Sequence, residues 1–176
     1  MEKTSQETGT GTGADPIDRA PGIAEPIPED VPHEAATPQV VAPGIRMLTF
    51  PGVKNVVKQW GQERWLHESD SPFGFKVVRI RAGHRTSLQY HEHKRETYFI
   101  LDGDAVLHYR AALDAPNQLI PFPAGSVAHV DPGAVHRVAA VTDIVLVEAS
   151  TADDGTDNVR VEDDYGRKDG RIAEEH

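Results

Sequence analysis

Three histidines and one glutamate have the side chains and the spacing to hold a divalent metal ion. His91 and His93 are two positions apart, Glu96 follows shortly after, and His136 lies in a distant segment. On a strand, side chains at i and i+2 point to the same face, so we expect His91 and His93 to face together. Imidazole and carboxylate ligands suit zinc, manganese, iron, nickel or cobalt. Such a centre leaves coordination positions open for water or substrate, which predicts chemistry rather than a structural metal.

A His-x-His pair also occurs on exposed strands without any function, so the residues around it matter. Here a strand-like run follows Glu96 and ends at the turn Asp102-Gly103. The turn Pro132-Gly133 then precedes His136, which starts another strand-like segment. This context favours a metal site over a solvated surface pair.

The elements that must position these residues are strands. From about residue 45 the chain is made of short alternating runs rich in β-branched residues: IRMLTF, VKNVVK, GFKVVRIRA, ETYFILDG, AVLHYR, SVAHV, AVHRVAAV and DIVLVEAS. A period of two with turn residues every eight to twelve positions indicates an all-β sandwich or barrel. The strongest turn signal is Asp102-Gly103, which predicts a tight hairpin because glycine adopts a positive φ readily.

Composition divides the chain into three regions. Residues 1–44 carry two basic and eight acidic side chains, 45–150 carry twelve and eleven, and 151–176 carry four and nine. The net charges of −6, +1 and −5 sum to −10. The first region is rich in Gly, Pro, Thr and acid and has no aromatic residue, so we expect a disordered arm. We predict a β-barrel at 45–150 and an acidic tail at 151–176 that packs partly on the barrel.

Charge and composition also exclude several classes of function. An acidic protein is repelled by nucleic acid and by anionic membranes, so we expect neither as a partner. The chain has no cysteine, which excludes disulfides and thiolate ligands or nucleophiles. No apolar run has the length of a membrane span and no signal-type segment is present, so we expect a cytoplasmic location.

The motifs resemble those of the cupin family. The first cupin motif is matched by Gly83, His91, His93, Glu96 and Gly103. The second is matched by Gly125, Gly133 and His136, with Asp131 and Ala140 in place of its Pro and Asn. The gaps are similar to those of the mannose-6-phosphate isomerase branch, as are KQWG at 58–61, SLQYH at 87–91 and the tail VRVEDDYGR at 159–167. The resemblance covers roughly residues 52–167.

The resemblance implies a single jelly-roll β-barrel that binds a divalent metal, commonly as a homodimer. It also implies a small-molecule substrate, a sugar or sugar phosphate, and aldose–ketose isomerisation. In that reaction the metal stabilises the enediolate that forms when a proton leaves the carbon beside the carbonyl. A nearby base carries the proton between the two carbons.

The residues that would assist this chemistry are not fixed by spacing. Four charged groups near the predicted strands are candidates for binding phosphate or moving protons, or are solvated surface charges: Lys94, Lys76, Arg79 and Glu148. Strand alternation places Gln89 on the face of His91 and turns Arg137 outwards, so a substrate contact by Arg137 would need a bulge or rim position. Our catalytic candidates are Lys94, Gln89 and Arg137.

Other functions remain open at this point. A metal-dependent dioxygenase uses a similar cage of histidines and a glutamate, and metal identity and oxygen uptake would separate it from an isomerase. A non-catalytic sugar-binding or regulatory cupin would show no turnover with mannose 6-phosphate or fructose 6-phosphate. Sugar-nucleotide epimerisation is a further alternative.

Overall fold

The computed structural model describes residues 33–152, 156–167 and 170–171, and within them the protein is built almost entirely of strands. In chain order these are β1 (Gln39–Ala42), β2 (Ile45–Met47), β3 (Lys54–Lys58), β4 (Gly61–Trp65), β5 (Phe73–Ile80), β6 (Leu88–His91), β7 (Glu96–Asp102), β8 (Asp104–Arg110), β9 (Gln118–Pro123), β10 (Val127–Val130), β11 (Val135–Ala140), β12 (Ile144–Thr151), β13 (Asn158–Glu162) and β14 (Gly170–Arg171). A 3₁₀ turn occupies Phe50–Gly52. The all-β prediction is confirmed.

The strands form two six-stranded antiparallel sheets and one separate hairpin. The first sheet has the order β10-β7-β12-β5-β4-β3, and the second has the order β14-β13-β6-β11-β8-β9. Among the described strands, β1 and β2 pair only with each other. Because neighbours in each sheet are mostly not consecutive in the chain, the fold brings distant segments together, as a jelly roll does.

Strand alternation builds the core between the two sheets. In β7, Glu96, Tyr98 and Ile100 are buried, and the residues between them are more exposed. In β12, Ile144, Leu146 and Glu148 are buried in the same way. The apolar members of these rows pack into one cluster, and the polar members Glu96 and Glu148 lie toward one end of it. The alternation therefore places carboxylates inside the protein as well as aliphatic side chains.

The turn at Asp102-Gly103 is present, but the hairpin predicted around it is wrong. Gly103 has a φ of 82°, and a Cβ at this position would lie 2.2 Å from the carbonyl oxygen of Asp143. The strands on either side, β7 and β8, belong to different sheets. The turn signal is local, whereas the pairing partners of β7 are strands β10 and β12 from later in the chain.

The regions assigned from composition differ in part from the structure. Residues 33–44 belong to the predicted arm, yet they contain β1, and His33 forms an isolated bridge with Asn55 of β3. Residues 1–32 lie outside the described residues, so the disorder expected there stays a prediction. In the predicted tail, β13 pairs with β6 and extends the second sheet. The tail is therefore part of the framework around the site. The described residues contain no helix with the length and apolar character of a membrane span.

Candidate functional site

Gln89 and His91 on β6 face the interior between the sheets, as strand alternation predicts. Both line a cleft of about 750 Å³, measured out to the solvent at its mouth. His91 is 6% exposed, and Gln89 is paired in register with His136 of β11. The side-chain oxygen of Gln89 accepts hydrogen bonds from Ser87 Oγ at 2.8 Å and Asn158 Nδ2 at 3.0 Å. The second sheet thus presents an imidazole and an oriented amide to the cleft.

Glu96 is the central group of the site. It is 2% exposed, and its two oxygens point to different partners. Oε1 lies 3.4 Å from His91 Nε2, and Oε2 lies 3.2 Å from His136 Nε2. The hydroxyl of Tyr98 donates a hydrogen bond to Oε2 at 2.9 Å and lies 3.1 Å from His136 Nε2. The structure therefore brings His91, Glu96 and His136 together around one carboxylate.

Lys94 completes this group with a buried ammonium. Its Nζ lies 2.9 Å from Glu96 Oε1 and donates a hydrogen bond to Glu148 Oε1 at 2.9 Å. Lys94 is 5% exposed, and Lys76 lies nearby with its Nζ 4.0 Å from Glu148 Oε1. We refer to His91, Lys94, Glu96, Tyr98 and His136 as the inner cluster.

The charges of the inner cluster shift the pKa values of its members. Burial alone would raise the pKa of Glu96, but the positive charge of Lys94 and the hydrogen bond from His136 hold it well below its usual value. Burial would lower the pKa of His136, and its contact with Glu96 outweighs burial and raises it. Burial and the charges of Glu96 and Glu148 raise the pKa of Tyr98 well above its usual value. Glu96 is thus an anion held by surrounding cations and hydrogen-bond donors.

His93 does not join the inner cluster. The sequence predicts that it faces the same side as His91, but β6 ends at His91 and the alternation ends with it. His93 is exposed, and its ligand atom lies within 4.8 Å of those of Glu92 and Asp157. We refer to Glu92, His93 and Asp157 as the outer cluster. These three ligand atoms all lie within 4.8 Å of one another, so the outer cluster is a second candidate for holding a metal.

Asp157 explains why the chain turns after His91. Its Oδ1 accepts hydrogen bonds from the backbone N–H groups of Glu92 at 3.0 Å and His93 at 3.1 Å. Its Oδ2 accepts from the N–H groups of His93 at 3.1 Å and Lys94 at 2.7 Å. Three consecutive amides converge on one buried carboxylate, which directs His93 outwards and Lys94 inwards. Its oxygens are already occupied, and Glu92 is paired with Arg171 at 2.5 Å.

Arg137 lies apart from the inner cluster. It is buried on the outer face of the second sheet, where its NH2 lies 2.7 Å from Glu162 Oε2 and its NH1 lies 3.4 Å from Asp164 Oδ1. Arg85 and Arg110 pair with the same two carboxylates. This network fastens β13 and the segment after it to the second sheet. The position agrees with the outward direction that alternation predicts, and it offers Arg137 no contact with the cleft.

Sequence reasoning did not identify Tyr98, Asp157 and Asn158 as parts of the site. Tyr98 was available from the sequence, because it is two positions from Glu96 on the same strand and shares its face. Asp157 and Asn158 had no local signal. They reach the site because β13 pairs with β6 across more than sixty positions of the chain.

The donors of the inner cluster fit a divalent metal. Neither ring nitrogen of His91 has a hydrogen-bond partner among the described residues, although both are buried. Nδ1 of His136 lies 2.9 Å from the carbonyl oxygen of Ala134, an orientation that directs Nε2 toward Glu96. Two imidazoles and a carboxylate are ligands for zinc, iron or manganese. The inner cluster therefore has the donor set and the orphaned nitrogen that a metal would satisfy.

Comparison with known protein families assigns the chain to one family. The family described as the C-terminal region of mannose-6-phosphate isomerase matches residues 51–163. The chain belongs to this family. The match confirms the resemblance to this branch of the cupins, and it includes every residue of the inner cluster. No curated protein matches the chain.

Solved structures show the same fold. The capsular polysaccharide assembling protein CapF from Staphylococcus aureus is 17% identical, with a TM-score of 0.56 over 62% of this chain and 32% of that protein. Oxalate decarboxylase from Bacillus subtilis is 12% identical, with a TM-score of 0.56 over 64% of this chain and 31% of that protein. The matched region spans about a third of the length of these two proteins. At these identities the likeness extends to the fold alone.

Proposed function

We propose that this member of the mannose-6-phosphate isomerase C-terminal family is a metal-dependent aldose–ketose isomerase acting on a sugar or sugar phosphate. The observation that carries the proposal is the arrangement of the inner cluster. Two imidazoles meet a buried carboxylate at the wall of an open cleft, and a lysine–glutamate pair lies beside them. Such a cleft combines a place for a Lewis acid with groups that can move a proton.

His91, Glu96 and His136 would hold the metal. When bound, a divalent metal supplies Lewis acidity that stabilises the negative charge developing on the sugar oxygens. The buried position of these three residues excludes bulk water from that charge and strengthens electrostatic interactions with it. Tyr98 supports the arrangement through its hydrogen bond to Glu96.

Glu148 is the residue we propose to move the proton. It lines the cleft and is joined to the inner cluster by the hydrogen bond from Lys94, whereas Glu63, which also lines the cleft, contacts Trp65 and Lys76. The Glu148 carboxylate would take the proton from the carbon beside the carbonyl and return it to the former carbonyl carbon, while the proton of the adjacent hydroxyl passes to the former carbonyl oxygen. The Lys94 ammonium would donate a hydrogen bond to the oxygen that carries the developing charge.

The walls of the cleft suit a polyhydroxylated substrate. Thr86, Ser87, Gln89 and Asn158 line it, and they supply hydroxyl and amide groups that both donate and accept hydrogen bonds. Lys58 and Arg167 also line it, and cationic side chains of this kind suit a phosphate group. A sugar phosphate would use both sets.

The direct test is proton exchange. We would incubate the metal-loaded protein in heavy water with mannose 6-phosphate, fructose 6-phosphate and the corresponding free sugars. Deuterium at carbon 2 of the aldose and at carbon 1 of the ketose, found by NMR, is the expected result. Absence of deuterium across the panel would contradict the isomerase and support a binding or regulatory cupin.

The role of Glu148 is tested by Glu148→Gln. We expect kcat to fall by about a hundredfold or more, because proton transfer by a positioned side chain contributes roughly 10² to 10⁴ in rate. Metal content should be unchanged. The matched control is Glu63→Gln, which removes another carboxylate that lines the cleft and should retain most of the activity. An equal loss in both variants would contradict the assignment to Glu148.

One observation also favours a second function. Two histidines and one carboxylate form the ligand set of non-haem iron oxygenases. If the protein is an oxygenase, the iron-loaded form will consume oxygen in the presence of substrate, whereas the zinc-loaded form will not. The isomerase proposal predicts enediol exchange with no oxygen uptake for either metal.

A further inference from the structure

The ammonium of Lys94 contacts the carboxylate that we propose as a metal ligand. Its Nζ lies 2.9 Å from Oε1 of Glu96, the same oxygen that lies 3.4 Å from His91 Nε2. Lys94 and Glu96 are 5% and 2% exposed, so little water screens the contact. One carboxylate oxygen therefore faces both a resident cation and a candidate metal ligand.

We infer that Lys94 competes with the divalent metal for Glu96, so that the side chain lowers metal affinity and holds the site together without metal. The inference rests on the proposed metal centre of the inner cluster. It goes beyond that centre because it assigns to Lys94 an effect opposite to that of a ligand.

Lys94 would lower metal affinity through electrostatic repulsion. A metal bound through Glu96 would lie within a few ångströms of the Lys94 ammonium, and two positive centres in a buried site repel each other strongly. The repulsion is relieved only if the ammonium leaves Oε1. Glu148 gives it another position, because its Oε1 already accepts a hydrogen bond from Nζ at 2.9 Å. Metal binding thus exchanges the contact between Lys94 and Glu96 for metal–ligand bonds.

The unsatisfied imidazole of His91 points to the same exchange. Both of its ring nitrogens are buried without a hydrogen-bond partner among the described residues, which costs free energy in the metal-free protein. Lys94 neutralises Glu96, whereas the lone-pair nitrogen of His91 has no hydrogen-bond donor among the described residues. A metal would satisfy both groups.

The exchange also gives Lys94 two positions with different uses. On Glu96 and Glu148 together it neutralises two buried carboxylates. Once it has left Glu96 and still contacts Glu148, the ammonium would be placed to donate a hydrogen bond to a substrate oxygen in the cleft. Metal binding would in this way prepare the lysine–glutamate pair for the reaction.

The experiment compares zinc binding by the wild-type protein, Lys94→Met and Lys94→Arg. Lys94→Met keeps an apolar stem and removes the charge, whereas Lys94→Arg keeps the charge. Calorimetric titration with Zn²⁺ should show binding at least about tenfold tighter for Lys94→Met than for the wild type, since a buried repulsion is removed. Lys94→Arg should bind no more tightly than the wild type. Absorption of Co²⁺ complexes should show the same order.

Two further measurements keep the outcome clear. The metal-free Lys94→Met protein should unfold at a lower temperature than the metal-free wild type and regain stability with Zn²⁺. Lys94→Gln serves as a second uncharged variant if Lys94→Met does not fold. Both comparisons are repeated with His93→Ala added, which removes the imidazole of the outer cluster and should leave the difference in affinity unchanged.

Equal or weaker zinc binding by Lys94→Met and Lys94→Gln would overturn the competition while leaving the metal centre standing. If neither the wild type nor any uncharged variant binds zinc, both the competition and the proposed metal centre are overturned. Tight binding by the uncharged variants alone would support the inference in its strongest form.

Discussion

Two groups of potential metal ligands both draw residues from the segment 91–96, and they differ in how their polar atoms are hydrogen-bonded. In the inner cluster, the ring nitrogens of His91 are buried and have no hydrogen-bond partner in the part of the chain that the structure describes, and Glu96 is surrounded by cations and donors. In the outer cluster, the oxygens of Asp157 accept hydrogen bonds from backbone amides, and Glu92 is paired with Arg171. The distances between potential ligand atoms therefore separate the two clusters less clearly than the presence of buried ligand atoms that lack a hydrogen bond among the described residues.

The difference follows from where a strand stops. Side chains on β6 alternate between the two faces of the sheet, so His91 faces the cleft. After β6 the backbone turns at the Asp157 carboxylate, and the alternation does not continue to His93. Lys94 rather than His93 then points inwards. Because the strand ends at His91, the cleft receives the imidazole of His91 and the ammonium of Lys94 instead of the two imidazoles of His91 and His93.

The largest effect that separates the clusters is expected in metal binding. His136→Ala removes an imidazole from the inner cluster and should weaken Zn²⁺ binding by more than about a hundredfold, which exceeds the usual cost of losing an outer-shell partner. His93→Ala should change the affinity by less than about threefold, because its ligand belongs to the outer cluster. Equilibrium dialysis with metal analysis would measure both. The reverse order would place the metal in the outer cluster.

A good part of this arrangement could be predicted from the sequence. Period-two runs predict the strands and place Gln89, His91 and His136 on inward faces, because alternation is a local property of an extended chain. His91, Glu96 and His136 do lie together in the structure. The direction of His93 could not be predicted, because it depends on a carboxylate more than sixty positions later. The separation of β7 and β8 into different sheets depends likewise on later strands.

Asp157 can be substituted to test whether its carboxylate holds the turn that separates the two clusters. Asp157→Asn removes a charged acceptor from three backbone amides, and we expect the free energy of unfolding to fall by about 2 kcal/mol. Zinc affinity should fall as well, because the turn positions His91 and Lys94. Urea unfolding and calorimetry would measure these changes.

The matched control for this variant is Asp131→Asn. Asp131 binds the same segment through Arg95 at 3.0 Å, but both side chains are mostly exposed. Its loss should cost less than about 1 kcal/mol. An equal effect of the two substitutions would show that Asp157 does not hold the turn.

The smallest effect concerns pH. The pKa of Glu96 is lowered by folding, so its ionised form stabilises the metal-free protein above its unfolded value of about 4.5, and this stabilisation is lost as the pH falls through the folded pKa. Urea unfolding of metal-free protein between about pH 6 and about pH 3 should therefore show a steeper loss of stability for the wild type than for Glu96→Gln. His93→Ala should follow the wild type. Parallel curves for the wild type and Glu96→Gln would contradict the charge balance described for the inner cluster.

The most direct test of the metal centre is anomalous diffraction from crystals of the protein grown with Zn²⁺, with data collected on both sides of the zinc edge. We expect one strong peak inside the cleft, within bonding distance of His91, Glu96 and His136, with the Lys94 ammonium moved away from Glu96. A peak between Glu92, His93 and Asp157, with none at Glu96, would contradict it.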